Sequence, residues 1–209
     1  MKILIADDFP LIRQGVIQTL RNDGCCANFH EAGDGREVLD YIRENDYDLV
    51  LLDISMPGRN GIDVLKQIKS LRPRLPVLIL TMYPEEQYAV RAMKAGAAGY
   101  VSKTQDPSVL VEAVNRVSLG KKFVSEKVAE HLADALGKNS IMPLHKRLSD
   151  REYEVFCGIA SGQSVTEIAD KMSLSVKTIS TYRSRVLDKM KFKNNAALTH
   201  YAIKNKLVE

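Results

Sequence analysis

Five residues in the first half of the chain could share one piece of chemistry. Asp7 and Asp8 follow a short apolar run at residues 2–6, and Asp53 follows D-L-V-L-L at 48–52. Thr81 follows P-V-L-I-L at 76–80, and Lys103 comes just after 99–101. Apolar runs without alternation read as strands covered on both faces. If these strands run parallel in one open sheet, their carboxyl ends share an edge, and ligands of such sheets sit beyond that edge. Three carboxylates, one hydroxyl and one ammonium would then converge. Carboxylates held together repel, so either a pKa rises or a cation neutralises them. An all-oxygen set suits Mg²⁺, which takes few protein oxygens and keeps several waters. With the charge neutralised, Asp53 stays ionised and nucleophilic, Lys103 supplies positive charge for phosphoryl oxygens, and Thr81 supplies a hydroxyl donor. That combination points to phosphoryl transfer to Asp53, a reaction in which positioning and charge neutralisation are most of the catalysis. An Asp pair alone is more often a loop or helix-cap feature; the conjunction at one edge is the signal.

The elements that must position these groups follow from the pattern. Strands are expected at 2–6, 27–32, 48–52, 76–80 and 99–101. Helices are expected at 10–22, 36–45, 61–71, 84–95 and 107–119, with Pro10 suited to a first helical turn and Gly96 to a left-handed cap. Five βα units in order predict an α/β, doubly wound, five-stranded parallel sheet. A further helix is expected at 125–136. The run G-K-N-S-I-M-P-L-H-K at 137–146 breaks the pattern and reads as a linker. From Leu148 onward four helices are expected, at about 150–161, 165–172, 175–189 and 195–204, with Ser149 or Asp150 capping the first and Ser175 the third. The expected domains are 1–120, a linker with a helix at 121–147, and an all-α four-helix unit at 148–209.

Composition excludes several classes. No apolar stretch reaches the roughly 18 residues of a membrane span. The N-terminal apolar run is too short for a signal peptide and ends in two carboxylates, so a cytoplasmic protein is expected. Cys25, Cys26 and Cys157 are odd in number and lack metal-ligand spacing, as expected of reduced thiols. The net charge is +4, but it is unevenly placed. Residues 145–209 hold 12 Lys and Arg against 7 Asp and Glu, while residues 1–144 hold 18 against 19. A near-neutral front and a basic back suggest that the back meets a polyanion.

Within the back half, a short helix at 165–172, a tight turn and a longer helix from Ser175 have helix-turn-helix spacing. In the longer helix Ile179, Val186, Leu187 and Met190 form an inward stripe. Residues 175–191 carry five Lys and Arg against one Asp. Small hydroxyls framed by cations suit a major-groove reader, the hydroxyls approaching base edges while the cations neutralise phosphates. The expected DNA-facing residues are Lys177, Thr178, Ser180, Thr181, Tyr182, Ser184, Arg185 and Lys189.

The segments I-L-I-A-D-D-F-P, L-L-D-I-S-M-P-G-R-N-G, I-L-T-M and G-Y-V-S-K resemble the response-regulator receiver family, whose fold is flavodoxin-like, over about residues 1–120. R-E-x-E-V, T-E-I-A-D-K, S-V-K-T-I-S and L-T-H-Y-A-I resemble the LuxR-type helix-turn-helix output domain, so the whole chain is similar to the NarL/FixJ class. The resemblance implies that Asp53 is the phosphoacceptor and that Asp7 and Asp8 hold Mg²⁺ together with Asp53 and the Ser55 backbone carbonyl. It implies Thr81 and Lys103 as the phosphate-sensing pair, and Thr81 and Tyr100 as switch residues. It also implies a cognate sensor histidine kinase, double-stranded DNA, and a homodimer favoured by phosphorylation as partners, with no turnover of an external substrate. One position departs from the family: Thr104 stands where a proline usually follows the lysine. Two other classes share parts of the pattern. A Mg²⁺-dependent phosphohydrolase of the haloacid-dehalogenase type would carry D-x-D after its first strand, whereas the pair here is adjacent and the best nucleophile follows the third strand. A receiver adaptor acting by protein binding would leave the basic helices without DNA.

Overall fold

The structure, a computed structural model, describes residues 1–136 and 143–208. They fall into two compact units, Met1–Leu132 and Ala133–Glu209.

The first unit is a parallel sheet of β1 (Lys2–Ala6), β2 (Asn28–Ala32), β3 (Leu49–Leu52), β4 (Val77–Thr81) and β5 (Gly99–Ser102), in the spatial order β2-β1-β3-β4-β5. Five helices alternate with the strands: α1 (Pro10–Asn22), α2 (Gly35–Glu44), α3 (Gly61–Leu71), α4 (Glu85–Lys94) and α5 (Pro107–Ser118). The expected elements are all present, with ends shifted by a residue or two, as hydrogen-bonded boundaries usually are. β3, β4 and β5 are buried at every position, as a sheet covered on both faces requires. α1 and α5 cover one face, where Ile5, Leu51, Leu80 and Val101 pack with Val16, Ile17, Leu110 and Val114. Side chains start the helices on the site edge of the sheet: Asp34 accepts from Arg36 and Glu37, Asn60 from Ile62, and Asp106 from Ser108. Each satisfies amide donors that a helix start leaves open.

The stretch after α5 is part of this unit. Phe123 bridges to Gly99, Lys122 Nζ donates to the Ala97 carbonyl at 2.6 Å, and Ser125 Oγ donates to Glu85 Oε2 at 2.5 Å. The Lys127 ammonium pairs with Glu86, at the start of α6 (Glu126–Leu136). Of the expected linker, residues 137–142 lie outside the described residues. Leu144–Arg147 is a 3-10 turn, and His145 Nδ1 lies 3.0 Å from the Tyr201 hydroxyl.

The second unit holds α7 (Asp150–Ala160), α8 (Val165–Met172), α9 (Val176–Met190) and α10 (Asn195–Lys204). α7 and α8 both begin with reciprocal capping boxes, Ser149 with Glu152 and Ser164 with Glu167. Three residues join α8 to α9, and Ser173 among them is left-handed at φ 53°. The core is built from Tyr153, Phe156, Ile168, Met172, Ile179, Val186, Met190 and Leu198. Leu187, expected inside, is only half-buried.

Glu152 is a buried carboxylate in this core. It accepts from Ser149 N–H at 2.8 Å and from Lys189 Nζ at 2.6 Å. Burial pushes its pKa up, but hydrogen bonds from Lys189 and Ser149 outweigh that and hold it below the usual carboxylate value. A carboxylate depressed in the folded state adds stability above its unfolded pKa and loses it as pH falls through the folded one. Glu152→Gln is therefore expected to cost about 1.5–3 kcal/mol at pH 7, the range for hydrogen bonds to a charged group. The gap to wild type is expected to shrink as pH falls through the usual carboxylate range and below it. Urea titrations followed by NMR resonances of α7 and α9 at each pH measure both.

Candidate functional site

The site is created by strand order. β1 lies between β2 and β3, so the chain leaves the two central strands toward opposite faces and a crevice opens at their carboxyl ends. The register sets Ala6 opposite Leu52, and the Asp53 amide donates to the Ala6 carbonyl at 2.9 Å. Asp7 and Asp53 thus emerge side by side. One strand further, β4 and β5 pair Thr81 with Ser102, and the Lys103 amide donates to the Thr81 carbonyl at 2.7 Å. The five residues expected at one edge are all there.

Asp7 and Asp53 are buried, Asp8 is half-buried, and ligand oxygens of the three lie within 4.8 Å of one another. The Lys103 ammonium reaches into this group, 2.5 Å from Asp7 Oδ2 and 2.7 Å from Asp53 Oδ2, with only 8% of its side chain exposed. Burial alone would lower the Lys103 pKa. The charge of Asp53, hydrogen bonds to Asp53 and Asp7, and the charge of Asp7 outweigh it and raise the value, so the lysine stays charged. Asp8 lacks that partner. Burial first, then the neighbouring charge of Asp7, pushes its carboxyl above the usual range. Asp8 Oδ1 is buried and has no hydrogen-bond partner among the described residues. One ammonium therefore serves two carboxylates and leaves the third short of positive charge. Hard oxygen donors, crowded and with a buried oxygen unused, fit a small divalent cation.

The remaining groups frame this cluster. Ser55 N–H donates to Asp53 Oδ1 at 3.3 Å. Thr81 is fully buried at the end of β4, and its Oγ1 has no partner among the described residues. Tyr100 is buried in β5, and its hydroxyl donates to the Tyr83 carbonyl at 2.8 Å, just before α4. Burial, with the charges of Glu85 and Asp53, raises its pKa, so it remains a donor. Ser102 Oγ lies 2.8 Å from Thr104 Oγ1, a contact that the usual proline at that position could not make.

Two contributors were not singled out in the sequence. Gly61 begins α3 where the backbone passes the Asp53 loop, and a Cβ there would lie 2.1 Å from the Asp53 carbonyl oxygen. An Asn followed by Gly at a helix start was the available sign. Arg13 of α1 donates to the Asp7 carbonyl at 2.7 Å. As one more cation on a helix it gave no sign at all.

In the second unit Lys177, Ser180, Thr181, Ser184 and Arg185 of α9 are exposed, whereas Thr178 and Tyr182 are half-buried. Thr181 and Ser184 hydroxyls donate back to the Lys177 and Ser180 carbonyls, at 3.0 and 3.1 Å. Lys189, expected to face DNA, has its ammonium on Glu152 of α7.

Residues 3–115 match the family described as response regulator receiver domain, and residues 146–202 match bacterial regulatory proteins, luxR family. The chain belongs to the response regulators. This family regulates transcription and is not one of turnover enzymes. Among its relatives, response regulator UvrY of Escherichia coli K12 is 31% identical over 99% of this chain and 95% of UvrY. Response regulator GacA of Pseudomonas aeruginosa is 31% identical over 100% and 98%. Oxygen regulatory protein NreC of Staphylococcus aureus is 33% identical over the full length of both chains. The regulator is also similar to solved structures of RcsB from Salmonella enterica serovar Typhimurium. One is bound to promoter rprA in the presence of the phosphomimetic BeF3⁻, with TM-score 0.65 and 29% identity over 96% of this chain and 98% of that one. Another is bound to promoter P1flhDC, with TM-score 0.67 and 29% identity over 96% and 97%. No described helix of the regulator is long and apolar enough to cross a membrane.

The close approach at Gly61 gives a direct test of how the Asp53 loop is held. Gly61→Ala forces a methyl group into backbone and is expected to cost about 1–3 kcal/mol, the usual range for overpacking. Gly15→Ala in α1, with nothing within 4 Å of the added Cβ, is expected to be neutral or stabilising by up to about 1 kcal/mol. Chemical denaturation of both variants, with amide shifts of residues 53–55 as a local readout, checks the contrast.

Proposed function

We propose that the regulator accepts a phosphoryl group on Asp53 from a phosphohistidine of a cognate sensor kinase in the cytoplasm, and that its helix-turn-helix unit reads double-stranded DNA as a homodimer. The observation that carries the reading is the Asp7–Asp8–Asp53 cluster with Lys103 among its oxygens. Asp7, Asp8, Asp53 and the Ser55 carbonyl would hold Mg²⁺, which supplies charge neutralisation for the carboxylates and for the incoming phosphoryl oxygens. In the transfer, an Asp53 carboxylate oxygen forms the new P–O bond while the P–N bond to the kinase imidazole breaks. Lys103 stands beside the acceptor oxygen and carries the positive charge that phosphoryl oxygens need. Thr81 has a buried hydroxyl with no partner among the described residues, free to donate to a phosphoryl oxygen. The acidic pair is adjacent and the acceptor follows β3, which suits a phosphoryl acceptor better than a phosphohydrolase with D-x-D after its first strand. Tyr100, tied to the chain segment leading into α4, would couple a Thr81 movement to that helix.

The receiver role falls to residues 1–120 and the output role to 148–209, with 121–147 between them. On α9, Ser180, Thr181 and Ser184 would face base edges, with Lys177 and Arg185 on phosphates and Thr178 and Tyr182 at the margin. Lys189 is left out of this set because Glu152 already holds its charge. RcsB, as a dimer, is bound to DNA in a related structure of 30% identity and TM-score 0.59, which supports the two-fold reading.

Incubation with acetyl phosphate and Mg²⁺ is expected to add one phosphoryl mass to the wild type and none to Asp53→Asn, and chelation of the metal is expected to block labelling. Full labelling of Asp53→Asn, seen by intact-mass spectrometry, would overturn the assignment. For DNA, three to four phosphates neutralised per protomer predict a log–log salt slope of about −5 to −7. Lys177→Ala and Arg185→Ala are expected to weaken all sequences alike, whereas changes at Ser180, Thr181 or Ser184 should alter which sequence is preferred. Binding titrations at several salt concentrations on two operators separate the two effects.

A further inference from the structure

Arg13 is a cation on the first helix that nothing in the phosphoryl chemistry requires. Its side chain is nevertheless only 15% exposed, and it is held at two points. Nε donates to Glu31 Oε2 at 2.8 Å, and Nη1 donates to the Asp7 carbonyl at 2.7 Å. The other Glu31 oxygen accepts from Gln14 Nε2 at 2.6 Å, so the carboxylate that anchors the guanidinium is itself fixed. Glu31 lies on β2 opposite Ile5, the strand neighbour of the residues leading into the acidic turn.

The Asp7 carbonyl belongs to the peptide plane that joins Asp7 to Asp8. Three contacts define that turn: the Asp7 amide donates to Ala32 at 3.1 Å, the Phe9 amide donates to Asp7 Oδ1 at 2.9 Å, and Arg13 holds the carbonyl between them. Fixing that oxygen fixes the rotation of the plane from which the Asp8 side chain is carried. Asp8 has the least support of the three carboxylates, with a buried oxygen that has no partner among the described residues. Left to itself, a peptide between two like charges would turn to separate them.

We propose that Arg13, clamped by Glu31, is a positioning residue that holds the Asp7–Asp8 peptide so that both carboxylates face one divalent cation. The inference rests on the Mg²⁺ reading of the cluster. It acts through geometry: the guanidinium bridges two acceptors in a fixed fork that a lysine cannot reproduce. Partners one step removed from a metal typically contribute 10- to 100-fold to its affinity.

The test is a MgCl2 titration of the full-length chain at constant ionic strength, read from the amide shifts of residues 7, 8 and 53. Arg13→Ala is expected to weaken Mg²⁺ binding about tenfold or more. Arg13→Lys, which keeps the charge, is expected to weaken it nearly as much, and Glu31→Gln to weaken it less. The half-saturating Mg²⁺ concentration for acetyl phosphate labelling should rise in the same order. Wild-type Mg²⁺ affinity in Arg13→Ala would overturn the proposal, and so would full rescue by Arg13→Lys, since charge rather than position would then suffice. If Arg13→Ala fails to fold, Arg13→Lys and Glu31→Gln decide: unchanged affinity in both overturns the proposal. Asp8→Asn separates the two levels. If wild type binds Mg²⁺ and Asp8→Asn does not, the cluster reading stands whatever Arg13 does. If Asp8→Asn binds as wild type does, the cluster reading fails and the Arg13 proposal fails with it.

Discussion

Mutual repulsion among three carboxylates is the constraint around which the first unit is arranged. Asp7 and Asp53 leave neighbouring strands one hydrogen bond apart, so their approach is set by the β1–β3 register and cannot relax without breaking the sheet. β3 is buried at every position and β1 at every position but Lys2, so the pairing that imposes this is enclosed by packing on both faces. The ammonium of Lys103 compensates two of the charges, and Asp8 is left with a raised pKa and a buried oxygen that has no partner among the described residues. Such a site favours a cation, which relieves the repulsion among its carboxylates.

The same economy runs outward from the cluster. Thr81 ends β4 with a hydroxyl that has no partner among the described residues, and Tyr100 ends its own chain of contacts at the Tyr83 carbonyl, on the segment entering α4. α4 in turn holds the chain beyond α5 through Glu85 with Ser125 and Glu86 with Lys127. These contacts tie α4 to the chain that leads into α6, inside one compact unit. The second unit solves a different problem, that of presenting a polar helix rigidly. Capping boxes at α7 and α8, a left-handed Ser173 and the buried Glu152–Lys189 pair fix α9 by its inner side and leave the outer side to cations and hydroxyls.

Much of this was legible in the sequence because strong local signals agreed with the tertiary answer. Continuous apolar runs marked buried strands, and the carboxylates, Thr81 and Lys103 stood directly at their ends. Gly, Asn, Asp and Ser marked the turns and caps. The two helix-turn-helix segments were read to within a residue because their caps and inward stripes have helical periodicity. Sequence type and spacing thus determined which elements form, in what order, and which polar residues sit at strand ends.

Other features exist only through contacts distant in sequence. Lys189 reads as a phosphate contact on a basic helix, yet a carboxylate 37 residues earlier takes its charge. Leu187 directly follows Val186 and so points about 100° around the helix from it, which leaves it half-buried while Ile179, Val186 and Met190 are buried. Gly61 matters because α3 crosses the Asp53 loop within van der Waals distance. Arg13 matters because α1 lays it between β2 and the acidic turn. Periodicity specifies the direction of a side chain on its own element. Which acceptor that side chain meets, and whether a charge is spent or left over, is decided only when register and packing bring separate elements together.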